Sequence, residues 1–203
     1  LADNTHCGSH LVVHPTIDGC SQLHREFHPS PDSIAGVRLR VAPLVLDLCN
    51  KSTFKRALET KYSIYHAAAI GLVRGKGGLQ EFTEEAIRDP QLEHVRKVTT
   101  AVGDDSITED QVHIEVVLRN GETLTKFVEQ SLGNLHKPMT DEQLTEKFVD
   151  QAILALPRPQ VDAVIEQCSK IDTLADVGQL ARATRRPVAR GARLVDLAAR
   201  EVA

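Results

Sequence analysis

Asn120-Gly121 sits between two runs of alternating side chains, Val112-His-Ile-Glu-Val-Val-Leu before it and Glu122-Thr-Leu-Thr-Lys-Phe-Val after it. That dipeptide supplies the positive φ angles of a type I′ turn, and the flanking patterns are those of half-buried strands. The sequence therefore predicts a β-hairpin, with Val112, Ile114 and Val116 on one face and Glu115 and Val117 on the other, because strand side chains alternate. A chain with a hairpin here cannot be all-helical. What pairs with the hairpin, and what covers it, must come from the rest of the sequence.

Residues 34–41, Ile-Ala-Gly-Val-Arg-Leu-Arg-Val, alternate apolar Val37, Leu39 and Val41 with Arg38 and Arg40, which reads as a further strand with one charged face. Before it, Ile17, Cys20, Leu23 and Phe27 recur at helical steps after Pro15, and Pro29 and Pro31 end that helix. Ile64, Ala67, Ala68 and Gly71 mark a second helix over 61–74, with small residues that allow close packing, stopped by Gly75, Gly77 and Gly78. Short helices follow over 81–88 and from Asp89-Pro90 toward Val95. Beyond Pro138, Thr140 opens a helix carrying Leu144, Phe148 and Ala152, and Pro157-Arg-Pro opens another with Val161, Val164 and Ile165. One or two further turns fall in 172–180. The expected fold class is α+β: a small, mostly antiparallel sheet of about four strands covered by helices, followed by C-terminal helices.

From Ala181 arginines dominate, at 182, 185, 186, 190, 193 and 200, interrupted by Pro187 and Gly191. We read 181–203 as a solvated basic tail ending in a short amphipathic helix, since a few arginines on one tail are weak grounds for an anionic partner. The net charge of −4 and 3% aromatic content speak against nucleic-acid binding, which calls for basic surfaces or stacking platforms. No apolar run reaches bilayer length and no secretory signal pattern opens the chain, so no membrane is expected and the location is taken as cytoplasmic. Cys7, Cys20, Cys49 and Cys168 are irregularly spaced, which favours free thiols over a disulfide framework. The chain opens at Leu1 inside what reads as a loop, so it is expected to be a fragment of a longer protein.

Chemistry-bearing patterns are few. His6, His10 and His14 are four apart, as are His24 and His28, the spacing of a two-histidine metal motif. Gly8, the pair Val12-Val13 and Pro15 make 6–14 a poor helix, however, and no carboxylate stands at a ligand offset, so no metal site is expected. Gly75-Lys-Gly-Gly follows a helix instead of a strand and lacks the phosphate-loop pattern, so it reads as a helix end. There is no Gly-x-Ser-x-Gly elbow, and Cys7 or Cys20 near histidines does not make a nucleophile. Residue chemistry by itself leaves the function open.

Three stretches narrow it. Ser9-His-Leu-Val-Val-His-Pro-Thr-Ile-Asp, Lys61-Tyr-Ser-Ile-Tyr-His-Ala-Ala-Ala-Ile-Gly-Leu-Val-Arg-Gly with the following Gly78-Leu-Gln-Glu-Phe-Thr-Glu-Glu, and Gly133-Asn-Leu-His-Lys-Pro-Met-Thr-Asp-Glu-Gln-Leu-Thr-Glu-Lys-Phe occur in that order. Together they resemble the C-terminal part of the MmgE/PrpD family, whose members are lyases and isomerases of small polycarboxylates, over residues 1 to about 180. The resemblance implies an α+β domain over 1–138, helices over 139–180 that return to an all-helical domain lying mostly N-terminal to this sequence, and substrate lying between the two domains. It further implies metal-independent proton abstraction and delivery with no cofactor, a dehydratase-like or isomerase activity, and a possible homodimer.

Residue by residue, the resemblance places Ser9 and His10 on the loop that faces substrate, with His10 as the catalytic candidate and Ser9 as a substrate-binding one. Lys61 and Ser63 match the later motif as substrate-binding candidates; the structural alternatives are a surface charge for Lys61 and a helix cap for Ser63. His14 is expected to cap or pack at the start of its helix. The family's loop normally carries lysine, proline, an aromatic and a second proline just upstream, where this chain has Thr5, His6, Cys7 and Gly8. Its decarboxylating members carry a tyrosine near the end of the first strand, where Leu46 stands here, which argues against decarboxylation. Two functions follow as expectations: half of a lyase or isomerase that is inactive without its helical domain, or a non-catalytic remnant or binding module of the same fold.

Overall fold

The structure, a computed structural model, describes residues 9–186. Four strands, β1 (Ile34–Val41), β2 (Thr99–Gly103), β3 (Val112–Leu118) and β4 (Thr123–Val128), form one open sheet in the order β2-β1-β3-β4. β1 runs parallel to β2 and antiparallel to β3, and β3 is antiparallel to β4, so the mixed helix-and-sheet class with a mostly antiparallel sheet is as expected. Val37, Leu39, Val41, Val112, Ile114, Val116, Leu124 and Val128 are buried on the covered face. Arg38 and Glu115 pair at 3.3 Å on the opposite, exposed face.

The hairpin forms, but its turn differs from the expected one. Leu118 accepts from the Gly121 N–H at 3.0 Å and donates its own N–H to Glu122 at 2.8 Å, so three residues, Arg119 to Gly121, make the connection. Of these only Gly121 has a positive φ, 88°. Such a loop needs one left-handed residue, at its third position, whereas a type I′ turn needs two. Asn120 is instead held by its side chain, whose Oδ1 accepts from the Glu122 N–H at 3.0 Å.

Helices α1 (His14–Phe27) and α4 (Ile64–Arg74) pack on each other and, with α6 (Pro90–Val98), cover the sheet. The crossing of α1 and α4 is close because Gly71 has no side chain: a Cβ there would lie 2.5 Å from the Cys20 Cβ and 3.0 Å from the Ile17 carbonyl oxygen. Ile17, Cys20 and Leu23 are fully buried in this layer, while Phe27, expected on the same stripe, is 45% exposed. The helix is ending there: His28 takes a left-handed conformation and turns the chain toward β1, carrying Phe27 past the edge of the core.

Side chains start several of the later helices. Ser63 caps α4, Thr83 caps α5 (Glu84–Arg88), and Asp89 caps α6 through the N–H groups of Gln91 and Leu92. α4 ends at Gly75, the helix end read from the sequence. α2 (Pro43–Cys49) and α3 (Ala57–Thr60) have no counterpart in the sequence reading; both are shorter than the window over which helical periodicity is recognised.

Two compact units divide between Lys147 and Phe148, within α7 (Asp141–Ala152). Thr140 and Gln143 form a reciprocal cap at the start of α7: the Thr140 Oγ1 accepts from the Gln143 N–H at 3.3 Å, and Gln143 Oε1 accepts from the Thr140 N–H at 2.9 Å. In the second unit α8 (Arg158–Cys168) contacts α9 (Gly178–Ala183), and Val161 and Val164 are buried. α9 passes the point where the basic tail was expected to begin, since Leu180, Ala181 and Arg182 continue the helix. The rest of that tail, from 187 onward, lies outside the described residues.

Candidate active site

The two segments singled out in the sequence meet in space. His10 donates its backbone N–H to the Lys61 carbonyl at 3.0 Å, and its ring lies 5.8 Å from the Tyr62 ring, tilted by 51°. After His10 the chain makes a single 3-10 turn over Leu11–Val13 and enters α1 at His14, with Pro15 at a first-turn position that needs no N–H partner. This supports the rejection of a continuous helix through residues 6–14 on its described part. His6, with Thr5, Cys7 and Gly8, lies outside the described residues.

Ser9 and His10 are half-buried, and the Ser9 Oγ and His10 Nδ1 have no hydrogen-bond partner among the described residues. Buried polar atoms are normally paired, so two unpaired ones side by side leave capacity for a ligand. Lys61 is half-buried at the C-terminal end of α3. Ser63 is fully buried; its Oγ accepts from the His66 N–H at 3.1 Å, and its backbone bridges to Asn50. The helix-cap role is therefore what its hydroxyl performs here. Asn50 is held in turn by Tyr65, whose hydroxyl donates to Asn50 Oδ1 at 2.6 Å.

The electrostatics favour anions. The first turn of α4 presents the positive end of the helix dipole three residues after Lys61 in the chain, while the His10 ring offers an unpaired Nδ1. Neither Cys20 nor Cys49 competes as a nucleophile: burial pushes the Cys49 thiol up to about 11 and Cys20 higher still. Cys20, Cys49 and Cys168 are free thiols. Of the second histidine pair, His24 is engaged by the Leu72 carbonyl at 2.7 Å and lies edge-on to His28.

His14 faces a groove of about 790 Å³, whose other wall is the loop that connects β4 to α7. Two neighbours of the site went unremarked in the sequence. Tyr62 lies inside a quoted motif, and its aromatic type next to a lysine was the available signal. Asp18, one turn after His14, closes the first quoted stretch, but a lone aspartate on a helix reads as a solvated charge; it is in fact 2% exposed. Leu46, discussed above for reaction type, sits in α2 and packs against the core.

The family model for the MmgE/PrpD C-terminal domain matches residues 8–171. The chain belongs to the MmgE/PrpD family. Among curated relatives, cis-aconitate decarboxylase of Mus musculus is 25% identical over 88% of this chain and 38% of its own length. The 2-methylcitrate dehydratase-like protein oryR of Aspergillus oryzae is 26% identical over 70% of this chain and 31% of its own length. The mitochondrial 2-methylcitrate dehydratase of Yarrowia lipolytica is 22% identical over 79% of this chain and 32% of its own length. The chain thus spans about a third of the length of the curated relatives it matches. No described helix is long and apolar enough to cross a membrane.

Proposed function

We propose that this chain is one wall of the active site of a lyase or isomerase that acts on small polycarboxylates, completed by a helical domain of the same family. The observation that carries the reading is the hydrogen bond from the His10 N–H to the Lys61 carbonyl, which joins the two family segments into one polar, cation-bearing surface. In this reading His10 transfers a proton at the reacting carbon or leaving group, through a ring whose Nδ1 is left without a partner among the described residues. Lys61, the Ser9 hydroxyl and the first turn of α4 hold substrate carboxylates, and Ser63 fixes where that turn begins.

The names of the relatives, a dehydratase, a dehydratase-like protein and a decarboxylase, favour a lyase over an isomerase. Leu46 in place of the tyrosine expected of decarboxylating members favours dehydration. The remaining proton-transfer groups and carboxylate-binding charge belong to the helical domain, so the chain by itself is inactive, and the reaction needs no metal. Exposed Leu11 and Tyr62 beside His10 support a surface built to be covered. A cytoplasmic homodimer belongs to the same proposal.

A second reading, a non-catalytic remnant or binding module, is favoured by one observation: Thr5-His-Cys-Gly stands where the family carries its loop lysine. Supplying a family helical domain, fused or as a separate chain, separates the two. Turnover of a polycarboxylate by the completed enzyme, absent from the isolated chain, is the expected result. In that enzyme His10→Gln lowers kcat by about a hundredfold, the usual worth of a positioned proton donor. A loss confined to KM would make His10 a binding residue, and full activity of the isolated chain would refute the reading.

A further inference from the structure

Asp18 is buried on α1, yet it reaches across to a loop far along the chain. Its Oδ2 accepts from the Leu132 backbone N–H at 3.2 Å and lies 3.7 Å from the Lys137 ammonium. Its Oδ1 accepts from the Gln22 side-chain amide at 3.0 Å. Removing a carboxylate from water costs several kcal/mol unless donors replace the water, and this one is met by a backbone amide, a side-chain amide and a cation.

The loop it holds is internally rigid. Gly133 donates to the Lys137 carbonyl at 2.7 Å, and the Asn134 side chain accepts from the N–H groups of His136 and Lys137, each at 2.8 Å. A rigid turn attached at one place moves as a unit about that place. With Lys137 drawn back toward Asp18, His136, Leu132 and Met139 line the groove across from Leu11 and His14, at the same end of α1 as His10.

We propose that Asp18 is a positioning residue: by latching the Leu132 amide and Lys137, it sets the loop that forms the far wall of the His10–His14 end of the site. The proposal rests on the polycarboxylate reading for what the wall encloses, but the latch itself is a property of this chain. Asparagine keeps an acceptor for the Leu132 N–H, whereas alanine keeps none.

The test is residue-resolved amide exchange on the 203-residue chain, with citrate as the probe in a second arm. In Asp18→Ala the Leu132 amide and those of residues 133–137 exchange about tenfold faster or more, the β1 and α4 amides stay within about twofold, and Asp18→Asn restores most of the protection. Unchanged Leu132 exchange, a uniform rise across the domain, or an asparagine variant no better than alanine would overturn the latch. Asp18→Leu, close in shape and likewise without an acceptor, replaces the alanine variant should that one not fold; failure of both to fold would also overturn it, by making Asp18 a determinant of the whole fold.

In the citrate arm, perturbation of the His10 and His14 imidazole signals is expected in wild type and in Asp18→Asn, and is lost in Asp18→Ala. Equal perturbation in wild type and alanine variant refutes a positioning role. No perturbation in wild type, with exchange as expected, sinks the polycarboxylate reading and leaves the latch standing.

Discussion

Lowering the pH should unfold this domain partly through one residue, His66. Its ring is fully buried, with Nε2 at 2.8 Å from the Glu81 carbonyl and Nδ1 at 3.2 Å from an Arg96 guanidinium nitrogen. A carbonyl can only accept and a guanidinium only donate, so the ring must be neutral with its proton on Nε2. Arg96 cannot retreat, because it also donates to the Ile87 carbonyl at 2.7 Å and its guanidinium carbon stands 5.7 Å from the centre of the Phe54 ring. Burial, and then the charges of Arg96 and Arg74, push the imidazole down from its ordinary 6.5 to about 4.

The folded pKa lies below the unfolded one, so as pH falls the unfolded chain takes up this proton first. The contribution is complete above about pH 6.5, falls as pH drops, and is gone below about pH 4. A gap of about 2.5 pH units at about 1.36 kcal/mol each makes about 3 kcal/mol in all, of which about 2 kcal/mol is lost between pH 6.5 and 5. Urea unfolding of the wild type and of His66→Gln, at steps from pH 7.5 to 5, isolates the effect, since every carboxylate titrates alike in both. The substituted glutamine keeps a donor for the Glu81 carbonyl without titrating in this range. The wild type should be the more stable at pH 7.5 and lose most of its lead by pH 5; parallel curves would refute the argument.

Two other predictions concern glycines. Gly71→Ala should destabilise by about 2 kcal/mol or more in urea, because the new methyl meets the Cys20 Cβ and the Ile17 carbonyl, and backbone cannot yield cheaply in a close-packed crossing. Gly121→Ala should cost only about 1 kcal/mol, all of it backbone strain at φ 88°, since no atom lies within 4 Å of the added carbon; a neutral result would show the turn relaxes to another form.

The parts of the fold legible in sequence are those where a local pattern and the tertiary environment agree. Val37, Leu39 and Val41 alternate with Arg38 and Arg40 because the sheet is covered on one face, and Ser63, Thr140 and Gly75 mark helix ends by side-chain or backbone chemistry that acts within four residues. The turn failed as a reading for the same physical reason. Asn-Gly suits both a two-residue loop and a three-residue loop with glycine last, and the choice is made by the β3–β4 register, with Val117 opposite Thr123, which no dipeptide encodes. α2, with seven residues, and α3, with four, are shorter than the window over which a helical period can be told from chance, so neither leaves a stripe long enough to read.

The site was legible only through resemblance, and the structure shows why chemistry by itself was silent. Its polar atoms come from backbone and side chains of segments far apart in sequence, joined by the His10 to Lys61 bond, and no single stretch carries a pattern that a reaction would demand. Asp18 makes the point most sharply. In sequence it is one acid on a helix whose other face is Ile17, Cys20 and Leu23, and a solvated charge is the ordinary reading. It is buried because a loop more than a hundred residues later brings an amide and an ammonium to it. A buried charge is thus a record of a long-range contact, and the partner is found by asking which donors replace its water. The unpaired Ser9 Oγ and His10 Nδ1 pose the same question with no donor or acceptor yet supplied among the described residues, and a substrate carboxylate is the answer that the reconstitution experiment puts to the test.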